Sequence, residues 1–272
     1  MLFKHLKILR ILTILLALSL SIVSIAGAFF PNTYDRDSAS IAAQGAGQDL
    51  VDLFVGVPLL LVTFFLASRG NRKAVLLYAG TLGYIMYSFI IYCFGVYFNQ
   101  FFLFYCLTLS LSLYAFILVF SDLKQQKVES WFEQAPVKLI SVYIAFVALV
   151  FYVLWLKSVV PAIIHNEVPK EVSDYNLLVN PVHVIDLVFA LPGILIGSVL
   201  IWRKKGVGFI ISSIALVFMV LLTLALAAMV LMLVNRGISE DNTIAFVFGI
   251  LSISSVVLLI LLFRKIIPSP SA

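Results

Sequence analysis

Four ionisable residues stand out in a chain that is otherwise overwhelmingly apolar: Asp49, Asp52, His183 and Asp186. They fall in two segments that read alike. Residues 49–69 run D-L-V-D-L-F-V-G-V-P-L-L-L-V-T-F-F-L-A-S-R, and residues 183–203 run H-V-I-D-L-V-F-A-L-P-G-I-L-I-G-S-V-L-I-W-R. One shift of 134 residues aligns Asp49 with His183, Asp52 with Asp186, Pro58 with Pro192 and Arg69 with Arg203. Residues three apart on a helix share a face. Each segment therefore presents a vertical pair, Asp49 with Asp52 and His183 with Asp186. A carboxylate in hydrocarbon costs about 2.5–3.5 kcal/mol at the centre of a span and less at its edge, so such groups face a bundle interior or a water-filled cavity. There they could bind a cation or take up a proton. Three carboxylates and one imidazole could also hold a divalent cation with a position open for water.

Pro58 and Pro192 add to the pattern. Each removes a helical N–H and is expected to kink its helix, freeing the carbonyl four residues earlier, at Phe54 and Val188. Bent membrane helices with freed carbonyls often line binding sites. Asn99 joins Asp49, Asp52, His183 and Asp186 as a candidate ligand-binding residue, because it falls at the same end of its span. Gln48, Gln100 and Tyr105 share that end, while Tyr84, Tyr87 and Ser88 lie mid-span, where hydroxyls need partners. Each candidate also has a plainer reading. Asp49 could cap a helix N-terminus, His183 could sit wetted at the interface, and Asp186 could pair structurally with a neighbouring polar side chain.

The elements that must carry these residues follow from composition. Of the 272 residues, 63% are hydrophobic and only 11% charged, against about 25% charged in a soluble domain. Mean hydropathy is +1.14. Eight apolar runs are long enough to cross a bilayer: 8–30, 50–68, 74–97, 101–120, 137–158, 184–202, 207–234 and 244–263. The runs are continuous rather than alternating, which argues against barrel strands. The expected fold is an all-α integral membrane protein of eight transmembrane helices, arranged as two parallel four-helix repeats. Residues 1–120 form the first, 121–136 a cytoplasmic linker and 137–272 the second. Four spans per repeat give both the same orientation, related by an axis along the membrane normal.

Charge sets the expected topology. With the N-terminus inside, 14 of the 18 Lys and Arg fall on the cytoplasmic side, leaving Arg36, Lys157, Lys170 and Arg236 outside. Both termini are then cytoplasmic, in a cell (inner) membrane. The pI of 9.2 has its account in this asymmetry, so no nucleic-acid partner is expected. Lys4, Lys7 and Arg10 could open a secretory signal, but the first span is long for one and has a counterpart at 137–158, so it is expected to be retained. Cys93 and Cys106 flank one turn at similar depth and read as buried thiols rather than a redox pair.

The segments Q-D-L-V-D-L with P-L-L, F-G-V-Y-F-N, and H-V-I-D-L with L-P resemble a family of multi-pass bacterial membrane proteins. The resemblance extends over most of the chain and implies a polytopic architecture; it brings no substrate with it. Three functions remain open. An outward-facing acidic pocket could serve a small-solute or cation transporter. A mouth at headgroup depth could serve a membrane-embedded, metal-dependent enzyme on lipid-linked substrates. The same polar faces could serve a receptor or assembly scaffold with a protein partner or a second copy. The bilayer is the one partner common to all three.

Overall fold

The computed structural model describes residues 2–175 and 177–267. Among these, eight helices are long and apolar enough to cross a membrane. They are α1 (Leu6–Phe29), α2 (Ala39–Ser68), α3 (Arg72–Gly95), α4 (Phe102–Lys124), α5 (Val137–His165), α6 (Pro181–Trp202), α7 (Gly206–Asn235) and α8 (Thr243–Phe263). Their outward faces are apolar: Phe146, Val153 and Ile250 are each more than 60% exposed. An apolar belt of this kind suits hydrocarbon better than water as its solvent.

The second helix begins earlier than its apolar run suggests. Residues 39–48, expected as loop, are helical, and Ser38 caps them by accepting a hydrogen bond from the Ile41 N–H at 3.2 Å. Asp49 therefore lies well inside α2, and the capping reading of Asp49 is overturned. The stretch A-S-I-A-A-Q-G-A-G-Q is built of small residues because α7 runs close beside it. A Cβ at Gly47 would come within 2.7 Å of the Ala228 carbonyl oxygen.

Neither α2 nor α6 is a regular α-helix. Each is interrupted by a five-residue π turn, Asp52–Gly56 in α2 and Asp186–Ala190 in α6. The N–H of Val57 reaches back to the Asp52 carbonyl, and that of Leu191 to the Asp186 carbonyl. Proline follows one residue later in both. In a regular helix the Pro58 ring would meet the Phe54 carbonyl; a π turn widens the helix at that point and is a frequent mark of functional sites. The expected kinks thus take the form of π turns. The two helices also end alike. Asn71 N–H bonds to the Leu66 carbonyl and Gly70 N–H to that of Ala67; Lys205 N–H bonds to Leu200 and Lys204 N–H to Ile201. These are paired Schellman closures, with positive φ at Gly70 and at Lys204.

Within residues 6–124, α1 packs on α2, α2 on α3 and α3 on α4; within 137–263, α5 packs on α6, α6 on α7 and α7 on α8. The first group closes, α1 packing against α4; in the second, α5 reaches α8 through Tyr143, whose hydroxyl lies 2.8 Å from each of the Ser254 and Ser255 hydroxyls. The groups join through α7, which lies against α2 and α3. At the basic end, the segment 128–133 is stitched to the chain beyond α8. Ile267 N–H donates to the Trp131 carbonyl and Glu133 N–H to the Lys265 carbonyl, each at 2.8 Å.

Candidate functional site

All four ionisable candidates are enclosed. Asp49 is 0% exposed, Asp52 1%, Asp186 5% and His183 6%. A buried charge must be hydrogen-bonded or paired, and the partners differ from site to site.

Asp49 is held by two phenols. Tyr34, in the turn after α1, donates to one oxygen at 2.5 Å, and Tyr92 of α3 donates to the other at 3.1 Å. Burial first, and the Asp49 charge second, raise the Tyr34 phenol well above its usual 10.0, so Tyr34 stays a donor. The carboxylate presses against α1: a Cβ on Gly27 would lie 1.8 Å from Asp49 Oδ2 and 2.5 Å from the Tyr34 hydroxyl. Only a residue without a side chain fits there.

Asp52, one turn further in, accepts from the Tyr84 hydroxyl at 2.7 Å and from the Gln48 amide at 3.4 Å. The Gln48 amide also reaches Tyr84 at 3.0 Å and Ser88 at 2.9 Å. Asn99 stands apart from these carboxylates. It donates to the Tyr105 hydroxyl at 3.0 Å and the Thr33 carbonyl at 3.2 Å, and accepts from Phe101 N–H. Its geometry secures the α3–α4 turn and the Tyr105 ring, which packs edge-on to Tyr92.

Asp186 is held from both helix groups. Tyr87 of α3 donates to Oδ1 at 2.9 Å, and the indole N–H of Trp155 on α5 donates to Oδ2 at 2.7 Å. The other side of Trp155 meets His183, ring centroids 4.8 Å apart. The indole therefore touches both members of the expected vertical pair. His183 also approaches Asn180 at 3.5 Å. It lies in the wall of a hollow of about 470 Å³ with Val159, Glu167 and Val188.

The functionally suggestive space is a different one. A cavity of about 330 Å³ opens where α2, α3, α5, α6, α7 and α8 converge, with Glu171, Tyr175 and Leu177 also in its lining. Its polar wall includes Gln44, Gln48, Tyr87, Ser88, Tyr92, Trp155, Glu171, Tyr175, Asn180 and Asp186, and its apolar wall Leu222, Leu226, Met229 and Phe248. Of the four ionisable candidates, Asp186 alone is in the lining; Asp49 and Asp52 sit behind Tyr92 and Gln48. Glu171, which the spacing argument passed over, accepts from the Ser158 hydroxyl at 2.8 Å. Its carboxyl is held below the usual 4.5, first by its own backbone N–H, with Ser158 and the His183 charge assisting against the opposing effect of burial.

Among the described residues no three His, Cys, Asp or Glu side chains gather in a way that could hold a metal ion. Trp155 and Tyr34 are the partners that spacing could not find. Their only advance signal is that a buried indole N–H or phenol needs an acceptor. No protein-family model, no curated protein and no solved structure matches this chain.

Proposed function

We propose that this is a polytopic membrane carrier for a small solute, binding it in the cavity between the two helix groups. The observation that carries the reading is the position of Asp186. It is a carboxylate at a π turn, lining a cavity of about 330 Å³ and joined to both groups through Tyr87 and Trp155. Ligand sites of this kind are concave, largely apolar and furnished with a few convergent polar groups. A site at the junction of two bundles is also where rocking of one against the other would expose it alternately.

Duplication of a four-helix unit supports this reading. The π turns, the prolines and the Schellman closures recur at the same shift of 134 residues over positions 52–71 and 186–205. On this reading residues 1–120 and 137–272 are the two units, 121–136 joins them, and α3 and α7 pack about the pseudo-symmetry axis. The basic end, with Arg69, Arg72, Lys73 and Arg203 to Lys205, faces the cytoplasm together with both termini. Asp49 and Asp52, enclosed by Tyr34, Tyr92, Tyr84 and Gln48, act as structural clasps of the first unit rather than as ligands.

The test pairs binding with flux. Purified protein is screened by thermal shift against a panel of amines, amino acids, sugars and carboxylic acids, since a ligand of the folded state raises its stability. Any hit is then assayed for counterflow in proteoliposomes. Wild type should bind and exchange the same solute, and Leu226→Trp, which fills the cavity, should lose both. Binding without exchange would replace the carrier by a receptor; turnover of the solute would replace it by an enzyme.

A further inference from the structure

The hydrogen-bonding state of the cavity wall restricts what can occupy it. Four of its donor groups are directed into the protein, whereas the Ser88 and Tyr175 hydroxyls accept from Gln48 and Gln44. The Tyr87 hydroxyl and the Trp155 N–H both point at Asp186, the Tyr92 hydroxyl at Asp49, and the Gln48 amide at Tyr84 and Ser88. What these groups leave to a ligand is acceptors: carboxylate lone pairs on Asp186 and Glu171 and the phenol oxygens. Asp186 and Glu171 are the only Asp, Glu, Lys, Arg or His residues among the described lining residues. Tyr87 and Trp155 give Asp186 hydrogen bonds but no positive charge. A carboxylate removed from water and held only by neutral donors is incompletely compensated.

We propose that the cavity binds an organic ammonium ion, a protonated amine with an apolar body. Its N–H donors would meet Asp186 and Glu171, its charge would lie against the aromatic wall, and its body would rest on Leu222, Leu226, Met229 and Phe248. This rests on the carrier reading and names its substrate class. Aromatic rings attract cations through their quadrupoles, and Tyr87, Tyr92 and Trp155 all border the space. The volume, about 330 Å³, is far larger than a bare metal ion needs. The lining offers two carboxylates and no imidazole or thiolate, which does not make a metal cage. An anion would meet two like charges.

The experiment is calorimetric titration of the full chain in lipid nanodiscs at neutral pH. The probes are phenethylammonium and hexylammonium, each against its neutral counterpart, phenethyl alcohol and hexanol. Wild type should bind the ammonium ions saturably and at least about tenfold more tightly than the alcohols, as expected where a buried charge pair is at stake. Asp186→Asn should remove that preference. Glu171→Gln, in the segment outside the spans, should reduce it about threefold, and it carries the test alone if Asp186→Asn does not fold. Equal binding of amines and alcohols, unchanged by either variant, would overturn the ammonium inference while leaving a solute-binding cavity. Absence of binding by these probes, while another solute in the wider panel binds and exchanges, would likewise overturn the inference alone. Absence of any ligand or exchange in that panel would overturn the carrier reading with it.

Discussion

Asp52 and Asp186 each open a five-residue π turn that ends immediately before an X-Pro step, Val57-Pro58 in one helix and Leu191-Pro192 in the other. A π turn amounts to one residue inserted into an α-helix. Phe54, in the first turn, is 65% exposed, so it can be spared without opening the interior. Deleting Phe54 together with Pro58→Ala should therefore let the helix regularise while residues on both sides keep their faces. We expect a folded monomer destabilised by only about 1–2 kcal/mol, within the ordinary range for single substitutions. Deleting Val62, also exposed but in regular helix, rotates everything beyond it by about 100° and should prevent folding. Size exclusion and thermal melting in detergent distinguish the two; equal damage from both deletions would refute the insertion account.

Gly27 and Asp49 are coupled by contact rather than by a bond. Gly27→Ala places a methyl group 1.8 Å from Asp49 Oδ2, and α1 must move or the carboxylate must leave its phenols. Overpacking of this kind costs about 1–3 kcal/mol. Asp49→Ala alone orphans the Tyr34 hydroxyl and leaves that of Tyr92 only the Gly45 carbonyl at 3.5 Å, at about 1–3 kcal/mol. The double variant removes the clash, so its loss should fall short of the sum by about 1 kcal/mol or more, as expected for neighbours. Additive losses in thermal melts would show that α1 yields without involving Asp49.

How much of this could be read from the residues alone depended on the range of the interaction concerned. Continuous apolar runs located all eight helices, because the hydrocarbon thickness dictates their length. The shared Asp and Pro spacing pointed to the helix irregularities, though as kinks rather than π turns. The start of α2 at Ala39 was hidden because Gly45, Gly47 and Gln48 lower local hydropathy; Gly45 makes room for the Tyr34 ring, Gly47 for α7, and Gln48 bonds to Tyr84 and Ser88. The partition of the acidic residues was not legible at all. Asp186 lines the cavity and Asp52 does not, because Gln48 stands before one and only Tyr87 and Trp155 flank the other. Gln48 is one turn from Asp52 on the same helix, but Tyr87 and Trp155 come from other helices, and a local spacing carries no information about them.

The Asp186 bonds can be dissected by shape-conserving changes. Tyr87→Phe keeps the ring and its edge-on packing against Phe218 but loses the hydroxyl, and should cost about 1–2 kcal/mol. Asp186→Asn can still accept from Trp155 through its oxygen while its amide donates to the Tyr87 oxygen, so it should cost less than Asp186→Ala, which leaves both donors unpartnered at about 2–3 kcal/mol. A cycle of Tyr87→Phe with Asp186→Ala should show coupling of about 0.5–3 kcal/mol. No coupling in the cycle would mean that the Tyr87–Asp186 bond does not join the two helix groups.

Two carboxylates outside the spans should respond to acid in opposite senses. Glu171 has its folded pKa depressed below 4.5, chiefly by its own backbone N–H and then by Ser158. Its contribution is present above the unfolded value and is lost as pH falls through the folded one. Asp37 is raised above 3.8 by burial, against the pull of the Tyr97 N–H, and its Oδ2 is buried without a partner. Ionised Asp37 therefore opposes folding, and that penalty is relieved as pH falls through its folded value. Glu171→Gln should be less stable than wild type near neutrality, by under about 1 kcal/mol because the site is largely solvated, and should converge on it well below pH 4.5. Asp37→Asn keeps the acceptor for Tyr97 and should be at least as stable as wild type near neutrality, with any advantage vanishing in acid. Hydrogen exchange of residues 167–175 would report the first change, since Ser158 pins that segment to α5 through Glu171. A Glu171→Gln deficit that grows on acidification would reverse the sign and refute the assignment.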